Sequence, residues 1–480
     1  MCKQSARKVY LFTIVLCCPF FGISQDSTGI QYTLKQCVDS AIANNLQVRQ
    51  SDLQMQTNEI NWKQAKANML PSISAFADHG INEGRNIDPS TNTFINQQIN
   101  FASYGLNAGV RVFGGLVLEN SIKQNSLAYQ AAKMDLQQNK DLMTLNVILA
   151  YLQVLSNADL LTQSINQVEV SKKQVERLEI LNKDGAIPPS QLSDLKGDLA
   201  NAQLTVISNQ NALESSKIAL CQLMNIDYKP QMQLEQLNAD QFHPSYDATP
   251  DKIYDISLQQ LALVKAAELR ERSAVKGLKV AKGNYYPVLS LTASANTNYS
   301  SATFESIFQN TTDVTSKNYV LIGGTPNFLI TPENNFLSQK VSYSNQLNNN
   351  LYNSVSLNLN IPLFNSFLTR NRVKLARIQL KNNEYVTQTT KIQLKQSIEQ
   401  AWVNMTSSID RYKTLTGQLA AYAESFRSAE IRFNEGVITS VDYVIAKNNL
   451  DRTNINLITA RYDYILRTKV LDYYQNKPLW

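Results

Sequence analysis

The side chains able to do chemistry in this chain are few and poorly placed for it. Its 480 residues include 2 His, His79 and His243, neither with a carboxylate or Cys at ligand spacing. No Gly-x-Ser-x-Gly elbow, Gly-rich phosphate loop or His-Glu-x-x-His occurs. Catalytic, cofactor-binding and metal residues are therefore expected to be none, and the chain is read as not an enzyme. Cys37 and Cys221 fit either one disulfide in an oxidising compartment or two buried thiols. The remaining distinctive residues suit mechanical work. Asp184-Gly185-Ala186-Ile187-Pro188-Pro189-Ser190 and Glu435-Gly436-Val437-Ile438-Thr439-Ser440 have the glycine that ends one helix and the hydroxyls that cap the next. Asp442 falls in a first helical turn, where a carboxylate complements the dipole.

Those turns need elements to hold them, and a compartment to work in. Lys3, Arg7 and Lys8 precede an apolar run from Val9 to Ile23, too short to span a bilayer. Residues 1–24 are read as a secretory signal cleaved after Ser24. A lipid-anchor reading is weaker, because neither Cys17 nor Cys18 follows Gly, Ala or Ser. Cleavage removes three of the 45 basic residues, leaving 42 against 39 acids, too balanced for nucleic acid. No other stretch approaches 18 apolar residues, so a membrane part is expected as strands.

The elements come twice. Trp62-Lys-Gln-Ala-Lys-Ala-Asn-Met-Leu-Pro71 aligns with Leu278-Lys-Val-Ala-Lys-Gly-Asn-Tyr-Tyr-Pro287. Farther on, Glu179 to Ile187 aligns with Glu430 to Ile438, and Phe113 with Phe364. One duplicated unit, lengthened between Pro287 and Phe364 in its second copy, explains both. The units are placed at 25–225 and 251–475, with a join at 226–250 and a tail at 476–480.

Each unit reads as a helix, two strands, a very long helix, a turn and a returning helix. Strands are expected at about 72–84, 100–113, 288–299 and 351–364. In the last, Val355, Leu357, Leu359, Ile361 and Leu363 alternate with Ser354, Ser356, Asn358 and Asn360. One apolar face and one wet face fit a membrane barrel or an ordinary half-buried sheet. Phe113, Tyr285, Tyr286 and Phe364 sit where a barrel carries its aromatic girdle. Long helices are expected at about 116–182 and 367–434, each roughly 100 Å long at 1.5 Å per residue. Their apolar residues recur at three and four, as in Leu145, Ile148, Leu149 and Leu152. Residues 300–345, rich in Asn, Ser and Thr, fit an extracellular loop that folds over a mouth or stays partly disordered.

Four strands cannot close a barrel in lipid, where open edges leave backbone groups unpaired. Copies of the chain must supply the rest. The leader, tandem unit, paired strands, proline at the helix-to-strand junction and two glycine tips resemble the outer-membrane efflux protein family, of which TolC is the type member. The resemblance implies a mainly α fold with a transmembrane β portion. It implies that three chains form a twelve-stranded β-barrel continuous with a periplasmic α-barrel. It implies a passive exit duct in the outer membrane, serving a tripartite efflux pump or a type I secretion system. The partners implied are a homotrimer, outer-membrane lipid, a periplasmic adaptor and an inner-membrane pump. The adaptor would contact Gly185, Ala186, Ile187, Gly436, Val437 and Ile438. Asp442 matches an aspartate at the family's closed end, and Ile445 stands where a second aspartate is expected. Three copies of Asp442 would make a cation-attracting ring, and Ile445 an apolar constriction. The competing readings are a periplasmic coiled-coil scaffold or adaptor without a barrel, and a secreted enzyme, for which no constellation exists.

Overall fold

The computed structural model of the protein describes residues 31–87, 92–236 and 248–479. The expected leader, His243, part of the expected join and Trp480 lie outside the described residues. The first half runs β1 (Gln31–Tyr32), α1 (Leu34–Asn44), α2 (Leu46–Ala67), β2 (Ser72–Asn82), β3 (Arg85–Ile87), β4 (Phe94–Asn96) and β5 (Ile99–Gly114). Then come α3 (Val117–Lys183), α4 (Pro189–Met224) and β6 (Gln233–Leu234). The second half runs α5 (Pro250–Gln260), α6 (Ala262–Gly283), β7 (Val288–Ser300), β8 (Phe304–Ile322), β9 (Thr325–Lys340) and α7 (Tyr343–Asn349). It ends with β10 (Tyr352–Asn360), α8 (Leu368–Asn434) and α9 (Ser440–Tyr474).

Element starts keep two offsets. Leu34, Leu46 and Ser72 begin α1, α2 and β2, and Pro250, Ala262 and Val288, each 216 residues later, begin α5, α6 and β7. Val117 and Pro189 begin α3 and α4, and Leu368 and Ser440, each 251 residues later, begin α8 and α9. Helices α3 and α8 each have 67 residues. Helices this long stand only when packed lengthwise, and here α2, α3, α6 and α8 lie side by side in one layer. One window of α3 is apolar enough by length and composition to cross a membrane, contrary to the sequence reading; half of it is buried. Protein packing explains that composition, since Val147, Ile148, Tyr151 and Leu152 are 0–3% exposed in the core.

The apolar core sits at mid-height, away from the sheet. One cluster joins α1, α3 and α4 around Cys37, Tyr151 and Leu220; a second joins α3, α5, α6, α8 and α9 around Ile253, Val264, Ile398 and Leu471. Cys37 and Cys221 are both free and buried, so the two-thiol reading is the one observed. Burial pushes the Cys37 thiol up to about 12, which makes it unreactive.

Strands β10, β7, β5 and β2 form one antiparallel sheet in that order. The register runs Val355, Ala293, Ala108 and Ile73 across one face, and Ser354, Ser294, Asn107 and Ser74 across the other. The last strand stops at Asn360, earlier than expected, because Pro362 has no N–H to give a ladder. Residues 300–345 are not a loop. Strands β8 and β9 make a long two-stranded ribbon followed by the short helix α7.

Candidate functional site

Two places in this fold stand out: the helical tips and the open edges of both layers. The tips come first. After α3, Gly185 adopts φ +72, with its N–H donating to Asn182 O at 3.0 Å and Ala186 N–H donating to Leu181 O at 2.8 Å. After α8, Gly436 adopts φ +71, with the matching bonds to Phe433 O and Arg432 O at 3.1 and 2.8 Å. Both glycines close a Schellman ending, a left-handed position that disfavours a side chain. Gly185, Ala186, Gly436 and Val437 are exposed, while Ile187 and Ile438 turn partly into the cluster between the tips.

The returning helices start differently. Ser190 does not cap α4. Pro188 is the N-cap and Pro189 the first helical residue, and no side chain caps the end. Proline at this position loses only an N–H that would be unpaired anyway. Thr439 caps α9 through a reciprocal box: its hydroxyl accepts from Asp442 N at 3.2 Å, and Asp442 Oδ2 accepts from Thr439 N at 3.2 Å. Oδ2 also accepts from the Thr439 hydroxyl at 2.8 Å. These bonds, the hydroxyl's first, hold the exposed Asp442 carboxyl below its ordinary range. Ile445 is exposed one turn further along the same face of α9.

Between the two hairpins lies a polar cluster that the sequence did not reveal. Lys447 is 4% exposed, with Nζ 3.1 Å from both Asp198 Oδ2 and Asp451 Oδ2. Ser171 donates to Asp198 at 3.0 Å, and Ser440 donates to Asp194 at 2.9 Å. Burial pushes the Asp451 carboxyl up, against the pull of Lys447. Tyr443 is fully buried beside them, stacked on Phe433 with ring centres 4.7 Å apart. Lys447 and Asp451 stood at helical spacing in the sequence, but Asp198 is 249 positions from Lys447.

The edges are the second place. The sheet ends on β10 and β2, and the helix layer ends on α8 and α2, so both layers are open on the same two sides. Leu46, Leu53 and Ile60, seven residues apart on α2, are 59–61% exposed. On α8, Ile378, Tyr385 and Ile392, also seven apart, are 56–66% exposed. Apolar residues at heptad spacing are the pattern by which one helix packs along another. The outer face of β10 is equally bare, with Val355 at 74% and Leu363, just beyond it, at 93% exposed. His79 lies exposed on β2, and no group of three or more His, Cys, Asp or Glu suited to a metal occurs among the described residues.

A family model described as outer membrane efflux protein matches residues 37–225 and 330–471. No curated protein matches the chain. Among solved structures, the fold is similar to CusC, at 16% identity and TM-score 0.76, over 94% of this chain and 93% of that one. It is similar to VceC of Vibrio cholerae, at 13% identity and TM-score 0.70, over 93% and 97%. It is also similar to the open state of MtrE from Neisseria gonorrhoeae, at 15% identity and TM-score 0.70, over 92% and 88%. CusC forms a transmembrane channel, VceC is an outer membrane protein and MtrE is an outer membrane channel, and the shared fold is mainly helical. The chain belongs to the outer membrane efflux protein family, and its place is the outer membrane, with the long helices extending into the periplasm.

Proposed function

We propose that three copies of this chain close into a twelve-stranded barrel above a helical cylinder. The assembly is a passive duct through which a periplasmic pump or secretion apparatus exports its substrate. We infer too that each chain is one unit duplicated, so that a contact inside the chain has a counterpart between chains. The observation that carries the reading is the pair of open edges. Inside the chain β5 pairs with β7, and α3 packs along α6. Shifted by the two offsets, β5 becomes β10, β7 becomes β2, α3 becomes α8 and α6 becomes α2. The in-chain contact, repeated, sets β10 and α8 of one copy against β2 and α2 of the next. Such a head-to-tail contact generates a ring when its rotation closes, and closure removes every sheet edge from lipid. Three as the number of copies is the family's.

The repeat also predicts a register. Ala108 faces Ala293 inside the chain, so Leu359 should face Ala77 of the next copy. Ala77→Cys with Leu359→Cys, oxidised in cells, should give covalent dimers and trimers and nothing larger. A monomer-only result, or a ladder beyond three, would sink the ring.

At the lower end, the exposed Gly185, Ala186, Gly436 and Val437, with Ile187 and Ile438 behind them, suit an adaptor that grips both tips. Gly436→Trp should abolish efflux while leaving the ring assembled; unimpaired efflux would remove the docking idea. Asp442 and Ile445 lie on one exposed face just above the tips, where a three-fold ring would place three carboxylates and three isoleucines around the narrow end. What the duct carries is set by the pump beneath it.

A further inference from the structure

The ribbon of β8 and β9 is much longer than β3 and β4, the three-residue strands paired at the matching place in the first unit, and among the described residues nothing covers it. Every residue of both strands is exposed except Ser316, which is half-buried. At about 3.3 Å per residue, the 19 residues of β8 span roughly 60 Å. An isolated two-stranded hairpin is marginal in water, so this one gains from a partner.

The base is firmly held. Gln346, 1% exposed on α7, accepts from Ser300 N and donates to Ser300 O, both at 3.0 Å. Val341 N–H donates to Thr303 O at 3.2 Å, and the Tyr104 and Tyr343 hydroxyls bond at 2.8 Å. The middle is polar: Thr311 donates to Asn334 at 2.7 Å, and Asn335 donates to Asn310 at 3.0 Å. The tip is different. Residues 318–331 contain no charged side chain. Tyr319 faces Phe328 and Leu321 faces Pro326, which puts Tyr319, Leu321, Pro326, Phe328 and Ile330 on one face. The opposite face mixes Val320, Ile322 and Leu329 with Thr325 and Asn327.

We propose that this apolar tip face packs against the same face of the ribbons of the two neighbouring copies, gathering three ribbons above the barrel mouth. The inference rests on the three-fold ring proposed above. Three observations select a second copy of this chain as the occupant. First is area. Tyr319, Leu321, Phe328 and Ile330 are each 54–66% exposed. They present about 400 Å² per ribbon, so three faces bury about 1,200 Å² in total, or about 400 Å² for each pair of ribbons, which is small for an interface standing alone. Tethering on one ring raises the effective concentration to the millimolar range, which offsets the modest size. Second is charge: a tip without charges meets its own copies with no like-charge penalty. Third, Pro326 and Pro332 occupy β9 six residues apart, on the same side of the strand. Proline in a paired strand turns its missing N–H outward, which blunts that edge and favours contact by faces.

The test is cysteine cross-linking of full-length protein in intact cells, with Leu321→Cys on the apolar face and Asn327→Cys on the other face of the same tip. Cys37 and Cys221 are buried and silent. Copper–phenanthroline oxidation should give covalent dimers from Leu321→Cys at least ten times more than from Asn327→Cys. Phe328→Cys should behave like Leu321→Cys. Native mass of the detergent-extracted protein reads the ring independently. An intact trimer without that excess, or with the cysteine joined to a different protein, overturns the ribbon contact alone. A monomer overturns the ring and this inference with it.

Discussion

In the ring proposed above, the seam inside the chain and the edge at its border would be two versions of one contact, and the residues at the two differ in bulk. At the in-chain seam, a Cβ on Gly115 would lie 2.2 Å from Gly283 O, and a Cβ on Gly283 would lie 2.6 Å from Gly115 O. Two backbones touch there with no room for a side chain. The matching border positions are Ser366 and Ala67, which already carry side chains. The backbone path is nevertheless the same. Gly115 and Leu116 turn left-handed at φ +63 and +57, and Ser366 and Phe367 turn left-handed at φ +52 and +61. The tips repeat the contrast. In the chain, buried Lys447 meets Asp198 and Asp451; by the same offset the border pair is Lys196 and Asn449, and Lys196 is a half-exposed partner of Glu179. In the proposed ring the tight seams would thus lie within chains and the looser ones between them. The proposed ring of three chains would have three-fold symmetry with six similar sectors.

The contrast can be broken most forcefully at the tips. Lys447→Met leaves two buried carboxylates without a countercharge and should destabilise hairpin docking by about 3–5 kcal/mol. Lys196→Met removes an exposed pair and should change stability by less than about 0.5 kcal/mol. Protease cleavage at the Gly185 and Gly436 turns would report both; equal effects would erase the distinction. At the junctions, Gly115→Ala forces a side chain into backbone at positive φ and should cost about 3 kcal/mol. Ser366→Gly should instead stabilise by about 1 kcal/mol, since it relieves a left-handed serine. Thermal unfolding in detergent checks the pair.

A gentler lever is pH. The folded Asp451 carboxyl titrates above its ordinary value of 3.8 because it is buried. Its contribution to stability is therefore full below that value and is lost as pH rises through the folded value. Docking of the hairpins should tighten on mild acidification, and Asp451→Asn should flatten that response in the same protease assay. The smallest effect is expected at Asp442, which belongs to neither seam. Asp442→Asn should reduce the cation preference of the channel in a planar bilayer by a few-fold; an unchanged preference would take Asp442 out of the pore.

Much of this was legible because the chain repeats itself. Lys63/Lys279, Asn68/Asn284 and Pro71/Pro287 announced the unit, and the alternation from Val355 to Leu359 announced a strand. Other features were hidden for identifiable reasons. Thr439 and Asp442 form the box that their spacing of three allows, but a neighbouring Ser440 made the cap ambiguous. Pro188 and Pro189 displaced Ser190, because a rigid φ starts a helix without any side-chain cap. The ribbon escaped because its apolar residues come in a block, Tyr319-Val-Leu-Ile322, where alternation is the usual signal of a strand. Asp198 and Lys447 escaped because only the folded chain brings them together.

The equal span of α3 and α8, 67 residues each, behaves like a pair of table legs. Both hang from the same sheet, so their feet touch one floor only while their lengths match. Loss of seven residues from one leg alone would lift its foot by about 10 Å and strip Lys447 of Asp198. Insertions and deletions in these helices should therefore survive in nature as matched pairs, one in each half.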